Sequence, residues 1–412
     1  MSTTAPAAEP VALKRSLSLP LVVLYGLGNI LGAGIYVLIG EVAGGAGYLA
    51  PLSFVLAALT VVFTAFSYAE LTSRFPVSAG EAVYVQEGFG RVKLSVLVGL
   101  LVAFAGMFSA ATISKGFVGY LQLFISMPAA MTIVLVVLAL GALAAWGISE
   151  SVMVAALLTL FEILGLLLIL WVGYGDLLTL PARLDEIVGG LDMGSSTGVL
   201  LGAFLAFFAF IGFEDMVNVA EEVKHPRRNL PLAIFISLLV SGALYVSIAT
   251  VAVLVVAPED LAASNAPLAL VYQQATGQPA IAIGLISVVA VINGALIQII
   301  MASRLLYGMG RNGWLPAALA YVHPRRQTPI IATAVVAVTI ICLALFAPLL
   351  TLASLTSLAL LAVFALINLA LIRIKHRQVP GSAVRSYPLW VPVLGVITSI
   401  AMASFSLILL LE

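Results

Sequence analysis

The sequence predicts an all-α protein that crosses a membrane many times. Three observations carry this: charge is scarce, apolar runs recur, and the connections between them alternate in sign. Of 412 residues, 63% are hydrophobic and 9% charged, and the mean hydropathy is +1.20. Soluble domains carry roughly 25% charged residues. Here charge is too sparse to cover a water-facing surface, so lipid is the main solvent. Apolar runs reach the length of about 20 residues that a spanning helix needs. Backbone groups in hydrocarbon must be satisfied within their own element, which selects helices, and the short alternating segments of a membrane β-barrel do not appear.

In chain order, residues 1–16 form a polar, Ala/Pro-rich tail. Eleven apolar segments follow, near 20–40, 48–72, 94–124, 129–146, 151–173, 197–220, 230–256, 280–306, 330–346, 349–372 and 389–411. The first runs into Glu41 without a signal-peptide pattern and is read as a retained helix. Residues 74–90 are too polar to span and belong at the cytoplasmic surface. Residues 258–279 form an outer connection able to act as a lid. Lys and Arg set the orientation. Lys14, Arg15, Arg74, Arg91, Lys93, Lys224, Arg227 and Arg228 fall on one side. So do Arg304, Arg311, Arg325, Arg326, Arg373, Lys375, Arg377 and Arg385: eight and eight, sixteen of the eighteen basic residues. The opposite connections carry Asp176, Asp185, Glu186, Asp192, Glu259 and Asp260. The N-terminus is therefore expected in the cytoplasm and, after an odd number of crossings, Glu412 outside. Cys342 is the single cysteine, placed inside an apolar run and read as buried, which leaves no disulfide framework or zinc site.

Most spans are ordinary Leu/Val/Ala helices; the first and sixth are not. The first holds Gly26, Gly28, Gly32 and Gly34 at its centre, and each glycine costs a helix about 1 kcal/mol relative to alanine. The sixth reads Phe207-Phe208-Ala209-Phe210-Ile211-Gly212-Phe213-Glu214-Asp215, with a glycine and two acids near its midpoint. Glycines spaced like Gly28 and Gly32 also serve close helix packing. Against that reading, both places lie at mid-depth, five spans apart, in helices that start on opposite sides of the membrane. Corresponding interrupted segments in two halves point to an inverted-repeat transporter with a midplane site.

At these residues the sequence resembles the amino acid–polyamine–organocation (APC) transporters. Gly28-Asn29-Ile30-Leu31-Gly32-Ala33-Gly34-Ile35-Tyr36 is similar to their first-helix signature, and Phe208 through Pro231 to their sixth. Phe75-Pro76 to Tyr84 and Ser303-Arg304 to Pro316 add support. The resemblance implies a LeuT-type fold of two inverted five-helix repeats with broken helices one and six. Repeat one would occupy 17–174 and repeat two 197–372, with an extracellular loop at 175–196 and a cytoplasmic loop plus an eleventh helix at 373–412. It also implies an amino acid substrate, its carboxylate meeting N–H groups of Ile30, Ala33 and Gly34, its ammonium meeting carbonyls of Phe208, Ala209 and Ile211. Ala33 stands where relatives often have Ser. Phe208 aligns with an aromatic gate, or is plain aromatic packing. The family usually has twelve spans; the eleven read here leave the repeat core whole and put the dimer contacts of the last helices in doubt.

A charge at the centre of a span costs about 2.5–3.5 kcal/mol on insertion scales, so each such residue is a functional candidate. Glu162 lies at the middle of span five, where several proton-coupled relatives carry a Lys and sodium-coupled members of the fold bind a cation. It is expected either to carry the coupling proton or to stay neutral and bond between helices, with Na⁺ ligation open. Glu214, at an acidic position of the family, links the sixth helix to its neighbours or senses protons. Asn218, Glu221 and Glu222 would share its helix face. Asn293, midway along span eight, contacts substrate or bonds across helices. Lys115, in the third span, is assigned no role.

These features predict a proton-coupled amino acid symporter of the cell membrane, with an exchanger, a sodium-coupled symporter or a non-transporting amino acid sensor as alternatives. Partners expected are the amino acid, protons or Na⁺, and the bilayer, with no nucleic acid and no disulfide-linked subunit. No P-loop occurs, no metal or nucleophile constellation suggests an enzyme, and no cofactor is expected.

Overall fold

The computed structural model describes residues 15, 17–77, 80–122, 124–146, 148–188, 193–326, 328–377 and 385–411, so most of the tail at 1–16 and parts of several connections lie outside the described residues. The helices in order are α1 (Leu19–Ala46), α2 (Ala50–Arg74), α3 (Gly80–Phe89), α4 (Val92–Leu121), α5 (Ala129–Trp146), α6 (Ile148–Val172), α7 (Tyr174–Val188) and α8 (Met193–Phe210). After a 3₁₀ segment at Glu214–Glu222 come α9 (Pro226–Val255), α10 (Pro258–Ala263), α11 (Pro267–Thr276), α12 (Ile281–Arg311), α13 (Ile330–Phe346), α14 (Leu349–His376) and α15 (Trp390–Leu411). Among the described residues there is no strand, only a single bridge between Leu17 and Val223.

Among the described residues, eight segments are long and apolar enough to cross a bilayer, the first of which, Leu19–Arg74, takes in both α1 and α2; α13 and α15 are apolar but shorter by the same measure. The chain is a multi-pass helical membrane protein. α1 is the hub, packed against α6, α8, α9, α10 and α12. The polar stretch after α2 forms the short helix α3, and the connection before α12 contains α10 and α11.

The two glycine-marked spans behave differently. α1 runs as one uninterrupted α-helix through Gly32 and Gly34, contrary to the expected break. Its glycines serve close approach instead. A Cβ on Gly32 would lie 3.2 Å from the Cα of Gly294, one on Gly28 would strike Thr159 and Asn293, and one on Gly34 would strike Ala209. Keeping these glycines helical costs about 1 kcal/mol each, whereas leaving a backbone group unsatisfied in hydrocarbon costs several. The close neighbours at these glycines fit the closed helix, and continuity wins.

α8 does end at the expected place. Gly212 has φ +125°, a conformation that a side chain resists, and the chain resumes as a 3₁₀ segment. That segment corrects a second expectation. Its threefold repeat places Val217 and Ala220 in line with Glu214, so Asn218, Glu221 and Glu222 do not share that residue's face. Cys342 is corrected too: it is exposed on the outer surface of α13, where lipid would meet it.

Candidate functional site

Several backbone groups freed at the break in α8 find partners. The N–H of Ile211 donates to the Phe208 carbonyl at 3.2 Å. The Gly212 N–H donates to Glu214 Oε2 at 2.9 Å, and the Gly212 carbonyl accepts from Asn29 Nδ2 at 3.1 Å. The Tyr245 hydroxyl of α9 lies 2.9 Å from the Ala209 carbonyl and also against the Ile30 carbonyl of α1. α1 and α8 are thus joined by a tyrosine hydroxyl and an asparagine amide at mid-bundle.

A polar network extends from this junction. Asp215 Oδ2 accepts from Asn29 Nδ2 at 2.6 Å and from Gln298 Nε2 at 2.8 Å, and Gln298 Nε2 also reaches Asn29 Oδ1 at 3.1 Å. α1, α12 and the 3₁₀ segment meet there around one carboxylate. Charge-assisted bonds of this kind are roughly twice as strong as neutral ones.

On the other side of α1, the structure builds a second polar group. Asn293 Nδ2 of α12 donates to Glu162 Oε1 at 3.0 Å and Thr159 Oγ1 at 3.1 Å, with the Ala155 carbonyl at 3.3 Å. Tyr36 donates to the Glu162 backbone carbonyl at 2.9 Å. Glu162 and Asn293 are fully buried. Glu162 Oε2 and Asn293 Oδ1 have no hydrogen-bond partner among the described residues. Two acceptors without a donor, shut away from water, make a site that a proton or small cation would satisfy.

The candidate residues therefore separate into groups. Ile30, Gly34 and Ala209 come together at the α1–α8 contact, with Ile211 in the turn beyond, all buried. The N–H groups of Ile30, Ala33 and Gly34 are inside a continuous helix, directed at their own helix and not at a ligand. The Phe208 and Ala209 carbonyls have their partners in the Ile211 N–H and Tyr245. Asn293 joins Glu162 and not the α8 break, and Glu214 turns back onto Gly212.

Asn29, Gln298 and Tyr245 were missed as site residues. Asn29 stands inside the quoted glycine motif and Gln298 is an amide within a span, both usable signals. Tyr245 gave none. Glu70 was missed as well: it accepts from Arg74 Nη2 at 2.7 Å and pairs with Lys375 Nζ at 2.7 Å, and the Tyr387 N–H reaches it at 2.9 Å. The i, i+4 spacing of Glu70 and Arg74 announces that pair.

A helix bundle with a polar network shut into its middle, and one helix opened there beside buried polar side chains, defines a multi-pass membrane protein with a central site. Residues 17–411 match the family profile described as amino acid permease. The branched-chain amino acid permease BcaP of Bacillus subtilis (strain 168) is 33% identical over 346 residues, 78% of this chain and 72% of its own. The mitochondrial cationic amino acid transporter 3 of Arabidopsis thaliana is 30% identical over 81% of this chain, which spans 58% of that protein. A methylthioribose transporter of Bacillus subtilis (strain 168) is 30% identical over 80% of this chain and 74% of its own. Among solved structures, a substrate-bound, outward-open Na⁺-coupled sialic acid symporter matches with a TM-score of 0.61 at 13% identity, covering 95% of this chain and 90% of that one. The two share a fold. The chain belongs to the amino acid permease family, within the APC superfamily.

Proposed function

We propose that this protein is a secondary active transporter that carries amino acids across the cell membrane by alternating access, in symport with protons. Family membership supports amino acid transport. The observation that carries the coupling is Glu162: a buried carboxylate against the central helix, with one oxygen lacking any donor among the described residues. A proton on Glu162 supplies the missing donor and removes a charge that burial disfavours.

The substrate would bind where α1 meets α8, at Ile30, Ala33, Gly34, Phe208, Ala209 and Ile211, with Asn293 relaying the state of Glu162 and Phe208 closing over the site. Binding requires α1 to unwind at Gly32–Gly34, where glycine lowers the cost, and Tyr245 to leave the Ala209 carbonyl. Asp215 is already held by two amides and Glu214 by Gly212, which favours a neutral side chain over a cationic one.

In this reading the helices α1, α2, α4, α5 and α6 form one repeat and α8, α9, α12, α13 and α14 its inverted partner, with α15 as the eleventh span. The basic residues at one end of the bundle support a cytoplasmic N-terminus. An obligate exchanger or a sodium-coupled symporter would use the same frame.

Uptake of a labelled amino acid panel into proteoliposomes, with pH and sodium gradients imposed separately, tests the proposal. Neutral amino acids should accumulate under an inward proton gradient, and Glu162→Gln should abolish that dependence. Full pH-driven uptake by Glu162→Gln would remove the coupling role; counterflow without net uptake would favour the exchanger.

A further inference from the structure

Glu81 opens α3, the short helix at the end of the bundle that carries the α1 N-terminus, and it is unlike other acids on connections. It is fully buried, and neither carboxylate oxygen has a hydrogen-bond partner among the described residues. Burial is the first cause that pushes its carboxyl up to about 8; nearby Asp215 adds to it, while its own backbone and the neighbouring Asn218 amide act the other way. Asn218, on the 3₁₀ segment, is 6% exposed, and both of its amide atoms are also unpartnered.

The surroundings hold acids and hydroxyls. The 3₁₀ segment supplies Glu214, whose Oε1 is unpartnered, and Asp215. α2 supplies the unpartnered Tyr68 hydroxyl, within electrostatic reach of Glu81, Glu214 and Asp215. α3 itself supplies Tyr84. The cation that α14 turns toward α3, Arg373, is engaged at the far end, donating to the Gly88 carbonyl at 3.1 Å and lying 4.9 Å over the Phe89 ring. α4 presents Ser95 to Gln86 at 3.0 Å. So α3 is docked on the segment just past the α8 break through a carboxyl that faces other carboxyls.

We propose that Glu81, together with Glu214 and Asn218, forms a second proton-binding site, and that the proton held there docks α3 against the 3₁₀ segment. Loss of the proton to the adjoining aqueous phase leaves a carboxylate among acids in a dry pocket, and α3 moves off. The orientation proposed above makes that phase the cytosol, so an alkaline cytosol would loosen this end of the bundle. The site is distinct from Glu162, which lies on the other side of α1.

The sign follows from proton linkage. The docked carboxyl titrates near 8, against an ordinary glutamate value of about 4.3, so the docked form binds the proton more tightly. Docking is unopposed in acid and weakens by about tenfold per pH unit until the change flattens near 8.

The test uses the full chain in lipid nanodiscs, where both faces are accessible, with Cys342→Ala as background. Ala82→Cys reports on the docked face of α3, since Ala82 is fully buried, and Glu87→Cys, exposed on the same helix, corrects for thiol ionisation. The ratio of maleimide labelling rates should rise about tenfold from pH 6 to pH 7 and level off above pH 8. Glu81→Gln should make it flat. A flat ratio in the parent, or a parent-like rise in Glu81→Gln, overturns the proposal. If Glu81→Gln does not fold, Glu81→Asp should keep a rise and Glu81→Ala lose it; a rise retained by Glu81→Ala overturns it equally. No transport is measured, so failure here is separate from failure of the Glu162 reading.

Discussion

Gly212→Ala isolates what opens α8. The alanine would have to keep φ near +125°, or the break must change shape. Holding a non-glycine residue in a sparsely populated region costs about 1–3 kcal/mol. The new Cβ would also stand 2.8 Å from Asn29 Nδ2, 2.9 Å from its Cγ and 3.0 Å from its backbone carbonyl carbon. The α1 backbone is fixed by its own helix, so the Asn29 side chain must yield. Its bonds to the Gly212 carbonyl at 3.1 Å and to Asp215 at 2.6 Å go with it. A hydrogen bond to a charged group is worth about 1.5–3 kcal/mol, so the two effects together amount to roughly 3–6 kcal/mol. Gly277→Ala is the control: φ there is +65° and nothing lies within 4 Å of the added carbon, which leaves the left-handed cost of about 1–2 kcal/mol. Thermal unfolding of purified protein, followed by tryptophan fluorescence, should show Gly212→Ala melting well below Gly277→Ala, and proteoliposome uptake should be lost in the former alone. Equal melting temperatures would refute the argument that the break depends on Gly212 and Asn29 together.

Further outcomes follow from packing and charge. Glu70→Gln keeps the shape of the side chain but removes the counter-charge of Arg74 and Lys375, whose side chains are 13% and 12% exposed, and among the described residues leaves Lys375 with only Ser386 and the Tyr387 carbonyl. Breaking one side of a buried pair costs about 3–5 kcal/mol; the residual exposure puts this site at the lower end, readable as a lowered melting temperature that Glu70→Asp partly restores. Gly34→Ala should destabilise by about 1–3 kcal/mol through overpacking against Ala209, and Ala209→Gly in the same chain should recover part of that loss in a double-mutant cycle. If the two substitutions are additive, α1 and α8 do not meet where the structure puts them.

Much of the fold was legible because lipid imposes a one-dimensional rule. A helix in hydrocarbon must be apolar over its own length, so the positions of α1, α2, α4 and the later long helices could be read from local sequence alone. The break after Phe210 was readable too, since Gly212 beside two acids is a local departure from that rule. The matching expectation for α1 failed because glycine permits either a break or a close contact. Which occurs depends on what faces it: Gly294, Thr159 and Ala209 approach these glycines at distances that leave no room for a Cβ.

The sequence by itself determined the membrane class and helix positions, and nominated Glu162, Asn293 and Glu214 as buried polar residues. Tertiary structure alone decided their partners. Asn29 and Asp215 are separated by 186 residues, Asp215 and Gln298 by 83, and Asn293 and Glu162 by 131. Hydropathy is a sum over neighbours in the chain, whereas a hydrogen bond requires two atoms within about 3 Å at a favourable angle. That register is set when helices pack, and so are the carboxylate oxygens of Glu81 and the Oε2 of Glu162 that packing leaves without a donor among the described residues.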